Sequence, residues 1–539
     1  MSADLRRALA SSAVAFVSGG VLLGVELAAS RVLAPFFGNS LFVWGALIGV
    51  VLTGLSIGYW LGGVVVDRLP RPSLVIAVLL LGGAAVLAIP FVDEPVLEAI
   101  VEWDPGPRAD PLLAAIVLFG PASVLLASVT PIVVRLLIRS LATAGTTAGR
   151  LFAISTAGSI FGTFATAFWL IPELGLDQLL ALLAAALFVA AVGFALVERL
   201  LPALGGAAAA LAVAIIASIS LAPETGGALS ASQVQNWSPL YRLQRERGRS
   251  EPAELEGDVV LVYRKETRYH RLAVVDDSTS RYLRFDASFQ SGMFLGHPFR
   301  TRFSYTDYFD LALAYRPSTT RMLLIGLGGA SAPKRMWRDF PQLQIDVAEL
   351  DPVVVDVARR YFELPDSPRI HVDVQDGRRY LAQRGGERWD VIGIDAFFSD
   401  SIPFHLTTRE FLELVRSRLK PGGIVVTNVI GALEGPDSKL FRALYRTYAS
   451  VFPTVLVHPV EDVDDSVTSV RNIMLVATES PAIAKAFLRQ RWDAIRRTHP
   501  SAPKLVRAIG DRRDKRVRTD DVPLLTDDYA PTDALLYVD

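Results

Sequence analysis

The chain has 539 residues, a formal net charge of −1 and no cysteine. Its length exceeds that of one ordinary core, and the balanced charge argues against nucleic acid as a general partner. The absence of cysteine excludes disulfides, thiolate nucleophiles and thiolate metal ligands, and we expect no metal site. Hydrophobic residues make up 51% of the chain, which is high for a soluble protein.

The hydrophobic excess lies in residues 1–222, which we predict to form a transmembrane domain of about seven helices. A helix needs about 20 apolar residues to cross a bilayer. The candidate stretches are 12–34, 41–66, 73–92, 111–138, 150–172, 176–197 and 203–221. The weakest candidates are the alanine-rich 203–221 and the stretch 111–138, which Gly-Pro and Thr-Pro steps interrupt.

The connections between these stretches alternate in charge, which predicts the orientation of the chain. Alternate connections carry arginines: Arg6, Arg7, Arg68, Arg71, Arg139, Arg150 and Arg199. The positive-inside rule therefore places the N-terminus in the cytoplasm. If all seven stretches crossed the membrane, the C-terminal half would lie outside the cytoplasm. If the ligand of that half is cytosolic, one of the seven stretches must not cross. The connection "GGVVVDRLPR" also resembles a loop of major facilitator transporters.

After Pro223 the composition turns polar. We interpret 223–256 as a linker, and alternating runs such as "YHRLAVVDD" and "RYLRFDA" predict a small β-hairpin subdomain at 257–300. The apolar runs "RMLLIG", "QIDVAEL", "RIHVDV", "WDVIGID" and "GIVVTNV" then alternate with helical segments. This alternation predicts a Rossmann-like α/β domain with a parallel sheet over 301–480, followed by a C-terminal extension at 481–539.

The carboxyl ends of the predicted parallel strands carry residues typical of a nucleoside site, and ligands of such sheets bind at this edge. The first strand ends in a glycine turn. The second ends in a carboxylate that can bind ribose hydroxyls, the third leads to one that can bind an adenine amino group, and the fourth ends in a further carboxylate. The candidate binding residues are Gly326, Gly328, Gly329, Glu349, Asp376, Gly377 and Asp395.

These residues lie in motifs that resemble the spermidine synthase (polyamine aminopropyltransferase) family, in the form that is fused to a major facilitator-type membrane domain. The motifs are "YHRLAVVDD", "RYLRFDASFQSG", "FSYTDYF", "LLIGLGG", "VAELDPVVVDVARRYF", "DGRRYL", "WDVIGIDAF" and "LKPGG". The resemblance implies an S-adenosyl sulfonium donor as substrate, either S-adenosylmethionine or its decarboxylated form. It also implies a methyltransferase-like fold with an N-terminal β subdomain.

The resemblance assigns roles to individual residues. Glu349 would bind the ribose, Asp376 would bind the adenine, and Gln290 would lie near the nucleoside. Asp395 corresponds to the acid that accepts a proton from the attacking amine. Tyr305 and Asp307 match part of the family's Tyr-His-Glu motif, and we count both as candidate catalytic residues with Asp395.

Two acids that recognise amines in the family are replaced in this chain. Gly329 occupies the place of the aspartate that faces the donor's aminopropyl group, and Phe398 occupies the place of the acid that binds the acceptor. A buried ammonium without a nearby carboxylate is disfavoured. Intact S-adenosylmethionine, which carries a carboxylate, is therefore an alternative donor. Asp400 or His405 could supply a missing polar group.

The sequence thus predicts an integral protein of the bacterial inner membrane with a cytoplasmic catalytic domain. We expect a transferase of polyamine biosynthesis that moves an aminopropyl group from an S-adenosyl donor to an amine acceptor. A lyase, methyltransferase or aminocarboxypropyltransferase that uses intact S-adenosylmethionine is the alternative in the same fold. A transporter or sensor with a nucleoside-binding domain is the alternative from another class. The expected partners are the donor, an amine and the lipid bilayer, and a homo-oligomer is left open.

Overall fold

The computed structural model of the chain describes residues 3–38, 41–103, 105–106, 108–138, 140–220, 255, 257–286, 288–397, 402–460 and 466–536. The chain forms two compact units, one helical and N-terminal, the other of mixed α/β structure and C-terminal. Most of the predicted linker, 223–256, lies outside the described residues, as do Phe398 and Asp400.

The N-terminal unit is built from long apolar helices. They are α1 (Ala3–Phe37), α2 (Leu41–Arg68), α3 (Pro72–Trp103), α4 (Ala109–Leu137), α5 (Leu141–Ala165, continued by a π-helical turn Thr166–Leu170 and by Ile171–Glu173), α6 (Leu176–Val197) and α7 (Leu201–Ser220). Six of the described helices, α1 to α6, are long and apolar enough to cross a membrane. The seventh predicted span, 203–221, falls on α7, which is shorter than the six others. By length and composition, six helices among the described residues are candidate crossings.

Glycines allow two pairs of these helices to approach closely. A Cβ atom at Gly58 of α2 would lie 2.4 Å from the backbone oxygen of Val124 in α4. A Cβ atom at Gly162 of α5 would lie 2.1 Å from the backbone oxygen of Gly20 in α1. Small residues at helix contacts are typical of bundles in lipid, where close backbone packing contributes much of the helix association.

The C-terminal unit begins with a five-stranded sheet in the order β1-β2-β3-β4-β5. Its strands are β1 (Val260–Glu266), β2 (Arg271–Asp276), β3 (Ser280–Phe285), β4 (Ser288–Phe294) and β5 (His297–Thr301). Strands β2 to β5 pair antiparallel with their neighbours. Leu272 of β2 pairs with Phe285 of β3, and both side chains are buried. The alternating sequence runs therefore form an antiparallel layer with one face in the core.

The second sheet has seven strands in the order β11-β12-β10-β9-β6-β7-β8. They are β6 (Arg321–Ile325), β7 (Gln344–Glu349), β8 (Ile370–Val374), β9 (Trp389–Ile394), β10 (Leu419–Gly431), β11 (Thr454–Pro459) and β12 (Arg471–Thr478). Strands β6 to β10 pair in parallel, which confirms the predicted parallel sheet. Strands β11 and β12 add an antiparallel edge that the sequence pattern did not single out.

Helices and short turns connect these strands. They are a 3-10 helix (Ser304–Asp310), α8 (Leu311–Tyr315), α9 (Ser331–Asp339), α10 (Pro352–Tyr361), α11 (Gly377–Gln383), a 3-10 turn (Phe404–Leu406), α12 (Arg409–Ser417), a 3-10 turn (Pro436–Ser438), α13 (Lys439–Val451), α14 (Lys485–Thr498), α15 (Val506–Gly510) and α16 (Thr532–Leu536). The order of the sheet places β6 beside β9, although β7 and β8 follow β6 in the chain. Strands β7 and β8 are added on one side of β6, whereas β9 and β10 are added on the other, so the strand order reverses at β6 and β9. Ligands of open α/β sheets bind at such a point.

Candidate functional site

A cavity that is open to solvent lies at the carboxyl ends of the parallel strands. Eight of the predicted site residues line it: Gln290, Tyr305, Gly326, Gly328, Glu349, Asp376, Gly377 and Asp395. Residues from the five-stranded sheet, the 3-10 helix at 304–310 and four parallel strands therefore meet around one space.

The glycine turn after β6 brings the backbone close to the end of β9. Gly326 has a φ of +100°, and a Cβ atom there would lie 2.1 Å from the backbone oxygen of Asp395. The amide of Asp395 donates a 2.8 Å hydrogen bond to the backbone oxygen of Ile325. Only glycine combines this backbone conformation with so close an approach. The turn therefore holds Asp395 at the edge of the cavity.

Glu349, at the end of β7, is held by the backbone on both carboxylate oxygens. Oε2 accepts a 2.9 Å hydrogen bond from the amide of Leu327, and Oε1 accepts a 2.9 Å hydrogen bond from the amide of Asp351. Burial raises the pKa of Glu349 to about 7, and the backbone hydrogen bonds oppose this rise. Each carboxylate oxygen has a second lone pair. The carboxylate is thus oriented and can still accept hydrogen bonds from two ribose hydroxyls.

Asp376 begins helix α11 and pairs with His405. Its Oδ1 accepts a 2.9 Å hydrogen bond from the amide of Arg379, which caps the helix. Its Oδ2 lies 2.8 Å from Nε2 of His405. Burial alone would raise the pKa of Asp376, but the hydrogen bonds from His405 and from the helix amides lower it below its ordinary value. His405 also lines the cavity, so this wall offers an ionised carboxylate next to an imidazole.

Asp395, at the end of β9, also lines the cavity. Nδ2 of Asn428 donates a 2.9 Å hydrogen bond to its Oδ1, and the hydroxyl of Tyr305 donates a second hydrogen bond. Burial raises the pKa of Asp395 to about 6, and these two hydrogen bonds oppose the rise. Burial also raises the pKa of Tyr305 well above its ordinary value, so the phenol stays a donor. An oriented carboxylate with a pKa near neutrality can act as a general base.

Gly329 does not line the cavity and has no room for a side chain. A Cβ atom there would lie 2.9 Å from Cδ1 of Phe362 and 2.9 Å from Cβ of Ser291. Its amide donates a 2.8 Å hydrogen bond to Oγ of Ser291. The expected contact of Gly329 with the ligand is thus replaced by packing against these two side chains, and Ser291 takes its place on the cavity wall.

Asp307 is also not in the cavity, although Tyr305 is. Nε of Arg335 lies 3.0 Å from Oδ1 of Asp307, and Nη1 of Arg335 donates a 2.8 Å hydrogen bond to Asp310. Burial raises the pKa of Asp307, and the nearby arginine opposes the rise. The structure thus places Asp307 in an ion pair with the buried Arg335 and not on the cavity wall with Asp395. Its catalytic role stays a prediction.

Sequence reasoning also missed residues that complete the site. His270 and Phe285 line the cavity, and their rings stack with a centroid distance of 4.2 Å. Asn428 lies in the apolar run "GIVVTNV", where a buried amide in a central strand signals a polar partner. Ser291 directly follows the predicted Gln290 but carries no signal of its own.

Residues 310–456 match the model of the family described as "Spermine/spermidine synthase domain". The chain contains a spermine/spermidine synthase domain. The matched residues include Glu349, Asp376 and Asp395 and exclude the helical unit, the five-stranded sheet and the C-terminal extension.

Two curated relatives match part of the chain. The polyamine aminopropyltransferase of Vibrio vulnificus is 37% identical over 155 residues, which cover 28% of this chain and 50% of the relative. The human eEF1A lysine and N-terminal methyltransferase is 32% identical over 151 residues, which cover 26% of this chain and 21% of the relative. The chain thus spans about half the length of the first relative and about a fifth of the second.

Among solved structures, the spermidine synthase from Thermotoga maritima is similar to the chain with a TM-score of 0.37 and 19% sequence identity. The similarity covers 46% of this chain and 87% of that protein.

Proposed function

We propose that the spermine/spermidine synthase domain transfers an aminopropyl group from an S-adenosyl sulfonium donor to an amine. One observation carries this proposal. Asp395, oriented by Asn428 and Tyr305, lies in the same cavity as Glu349 and Asp376. A single nucleoside can contact Glu349 and Asp376 while its sulfur-bound carbons face Asp395.

The residues of the cavity divide between binding and chemistry. Glu349 accepts hydrogen bonds from the ribose hydroxyls, and the Asp376–His405 pair contacts the adenine edge. Gln290 and Ser291, adjacent on β4, contact the donor chain. The glycine turn at Gly326 lets the nucleoside approach the backbone.

The proposed step is a displacement at a carbon bound to the positive sulfur. The amine nitrogen forms a bond to that carbon, the carbon–sulfur bond breaks, and its electron pair passes to sulfur, which leaves as a neutral thioether nucleoside. Asp395 accepts the proton that the new ammonium group loses. The protein contributes mainly the orientation of the two reactants and the position of this base.

Intact S-adenosylmethionine is the second candidate donor, and the surroundings of Gly329 support it. Phe362 and Ser291 fill the place from which an acid could face a donor ammonium, and Asp307 is held by Arg335. In the described part of the cavity, Asp395 is the remaining carboxylate near the reacting centre. A tail with one ammonium and one carboxylate needs less compensating negative charge than an aminopropyl ammonium does.

We also propose that the helical unit is a membrane domain with its N-terminus in the cytoplasm. The six apolar helices and the alternating arginines support this orientation. With six crossings, the chain after residue 220 lies on the cytoplasmic side, where S-adenosyl compounds are available. This removes the conflict that seven crossings create.

The experiment is donor binding and product analysis with the full chain in detergent. S-adenosylmethionine, its decarboxylated form and 5′-methylthioadenosine are titrated calorimetrically, and products are analysed with and without putrescine. An aminopropylated amine and methylthioadenosine, formed only with the decarboxylated donor, support the first proposal. Turnover of the intact donor supports the second. Binding without any product supports a sensor or transporter role, and binding of no adenosine compound contradicts all of these.

A further inference from the structure

The C-terminal extension contacts the matched domain through an ion pair between Asp527, which lies outside residues 310–456, and Arg378, which lies within them. Nη1 and Nη2 of Arg378 lie 2.7 Å and 2.5 Å from the two carboxylate oxygens of Asp527. Oγ1 of Thr408 donates a further 2.7 Å hydrogen bond to Asp527. Arg378 is 26% exposed and Asp527 is 42% exposed. A single exposed pair contributes little, but a two-point contact with a third donor fixes geometry as well.

The Arg378 end of this contact adjoins two parts of the cavity wall. Arg378 directly follows Asp376 and Gly377, which line it. Nη1 of Arg378 also donates a 3.1 Å hydrogen bond to the backbone oxygen of His405. The side chain of His405 in turn contacts Asp376. Arg378 therefore links the start of α11 to the turn that carries His405, and Asp527 holds the guanidinium of Arg378.

The segment that carries Asp527 is itself anchored to the α/β unit. The amide of Asp527 donates a 3.0 Å hydrogen bond to Oε2 of Glu410. Leu525 accepts a 2.9 Å hydrogen bond from the amide of Arg409 and donates a 3.1 Å hydrogen bond to Oγ1 of Thr447. These contacts hold the carboxylate of Asp527 at a defined place, so it acts on Arg378 as a fixed support.

We propose that Asp527 is a positioning residue for the donor nucleoside and acts through Arg378 on the wall formed by Asp376 and His405. This inference rests on the proposed function, because it takes the cavity to bind an adenosine compound. It makes the C-terminal extension a part of the binding site, although residue 527 lies beyond the matched residues 310–456. Removal of the ion pair between Arg378 and Asp527 frees the guanidinium and the turn that carries His405. The wall formed by Asp376 and His405 is then no longer held in one shape.

The test compares Asp527→Asn with a matched control in the full chain. The control is Asp520→Asn, because Asp520 also pairs with an arginine, Arg518, at 2.8 Å, but both side chains are exposed. We expect Asp527→Asn to weaken 5′-methylthioadenosine binding by about tenfold, through the loss of charge-assisted hydrogen bonds. Asp520→Asn should bind like the unchanged protein. In turnover, KM for the donor should rise while kcat at saturating donor changes by less than about twofold.

A second pair of variants tests the route of the effect. Arg378→Gln breaks the same contact from the other side, and it serves as the primary test should Asp527→Asn fail to fold. The double variant should bind 5′-methylthioadenosine no more weakly than whichever single variant binds it more weakly. If the losses of affinity in the two single variants add in the double variant, the proposal is overturned. Unchanged affinity in Asp527→Asn would overturn it as well. If the unchanged protein binds no adenosine compound, the proposed function itself is contradicted. That result is obtained before any variant is made, so it is distinct from a failure of this inference.

Discussion

Nδ2 of Asn428 donates a 2.9 Å hydrogen bond to Oδ1 of Asp395, while Oδ1 of the same amide accepts a 2.9 Å hydrogen bond from Nδ2 of Asn472. The second contact fixes the amide orientation, because Asn428 must present its NH2 group to the carboxylate. Two neighbouring strands, β10 and β12, thereby hold Asp395 in place. The site is built on rigid strands, which favours a precise position for a base.

The first prediction concerns Asp395→Asn, which keeps the shape of the side chain and removes its capacity to accept a proton. We expect kcat to fall by about 10² to 10⁴, the range for loss of a general base. Affinity for 5′-methylthioadenosine should stay within about threefold, because Glu349 and Asp376 are unchanged. Calorimetry and product assays on the same sample measure both. A variant that retains kcat would contradict the role of Asp395 as the base.

The same variant should gain stability at neutral pH. Burial raises the pKa of Asp395 to about 6 in the folded chain, whereas the unfolded value is about 3.9. The folded state therefore binds the proton more tightly, and stability falls as pH rises from about 4 to 6. Above that window, the ionised carboxyl lowers the free energy of unfolding by roughly 1 to 3 kcal/mol. Asp395→Asn should raise Tm at pH 8 and not at pH 4.

The second prediction is an acid limb in the pH dependence of turnover. A base must be ionised, so kcat at saturating donor should fall about tenfold per pH unit below the pKa of Asp395 in the complex. That limb should lie at or below pH 6, because the positive sulfur stabilises the carboxylate. Burial raises the pKa of Glu349 to about 7. Protonation of Glu349 should therefore be seen as a change in the affinity for the donor near this pH. A kcat that does not change from pH 8 down to the lowest pH at which the protein stays folded would exclude Asp395 as the base.

Much of this site could be predicted from the sequence because it lies at strand ends. Each of Gly326, Glu349, Asp376 and Asp395 follows an apolar run, and parallel pairing brings such ends to one edge. Gly329 and Asp307 could not be placed in this way, since their surroundings depend on distant packing. Phe362 and Ser291 close the space at Gly329, and Arg335 on another helix holds Asp307.

The helical unit shows a similar limit. Composition identified the apolar stretches but not the bounds of the helices that they form. Residues 203–221 have the composition of a span, yet the helix there, α7 (Leu201–Ser220), is shorter than the six others. The antiparallel strands β11 and β12 were also missed, because "TVLVHP" and "RNIMLVAT" resemble any other apolar run.

The third prediction tests the closed space at Gly329. Gly329→Ala adds one methyl group that would lie 2.9 Å from Phe362 and Ser291. We expect a loss of roughly 1 to 3 kcal/mol of stability and weaker nucleoside binding, because Ser291 lines the cavity. Gly386→Ala is the matched control, since a Cβ atom there meets nothing within 4 Å. Denaturant unfolding measures the difference. Equal stability of the two variants would show that Phe362 and Ser291 can move to accommodate a methyl group at little cost in free energy.

The fourth prediction concerns the ribose. Glu349→Gln removes the charge while keeping one carbonyl oxygen, so one backbone amide now faces an NH2 group. We expect adenosine and 5′-methylthioadenosine to bind about 10- to 100-fold more weakly, because charge-assisted hydrogen bonds to the hydroxyls are lost. Adenine without ribose is the control ligand, and its affinity should change little. An equal loss for adenine and adenosine would mean that Glu349 acts on the whole cavity rather than on the ribose.

The fifth prediction concerns the orientation of the chain, and the absence of cysteine makes it accessible to single-cysteine labelling. With six crossings and a cytoplasmic N-terminus, Arg108 between α3 and α4 faces outward, whereas Leu69 between α2 and α3 faces the cytoplasm. In intact cells a membrane-impermeant maleimide should label Arg108→Cys but neither Leu69→Cys nor Tyr529→Cys. All three positions are exposed, so each should react after the membrane is permeabilised. Labelling of Tyr529→Cys in intact cells would require an odd number of crossings, and it would separate the cavity from the cytosolic supply of its donor.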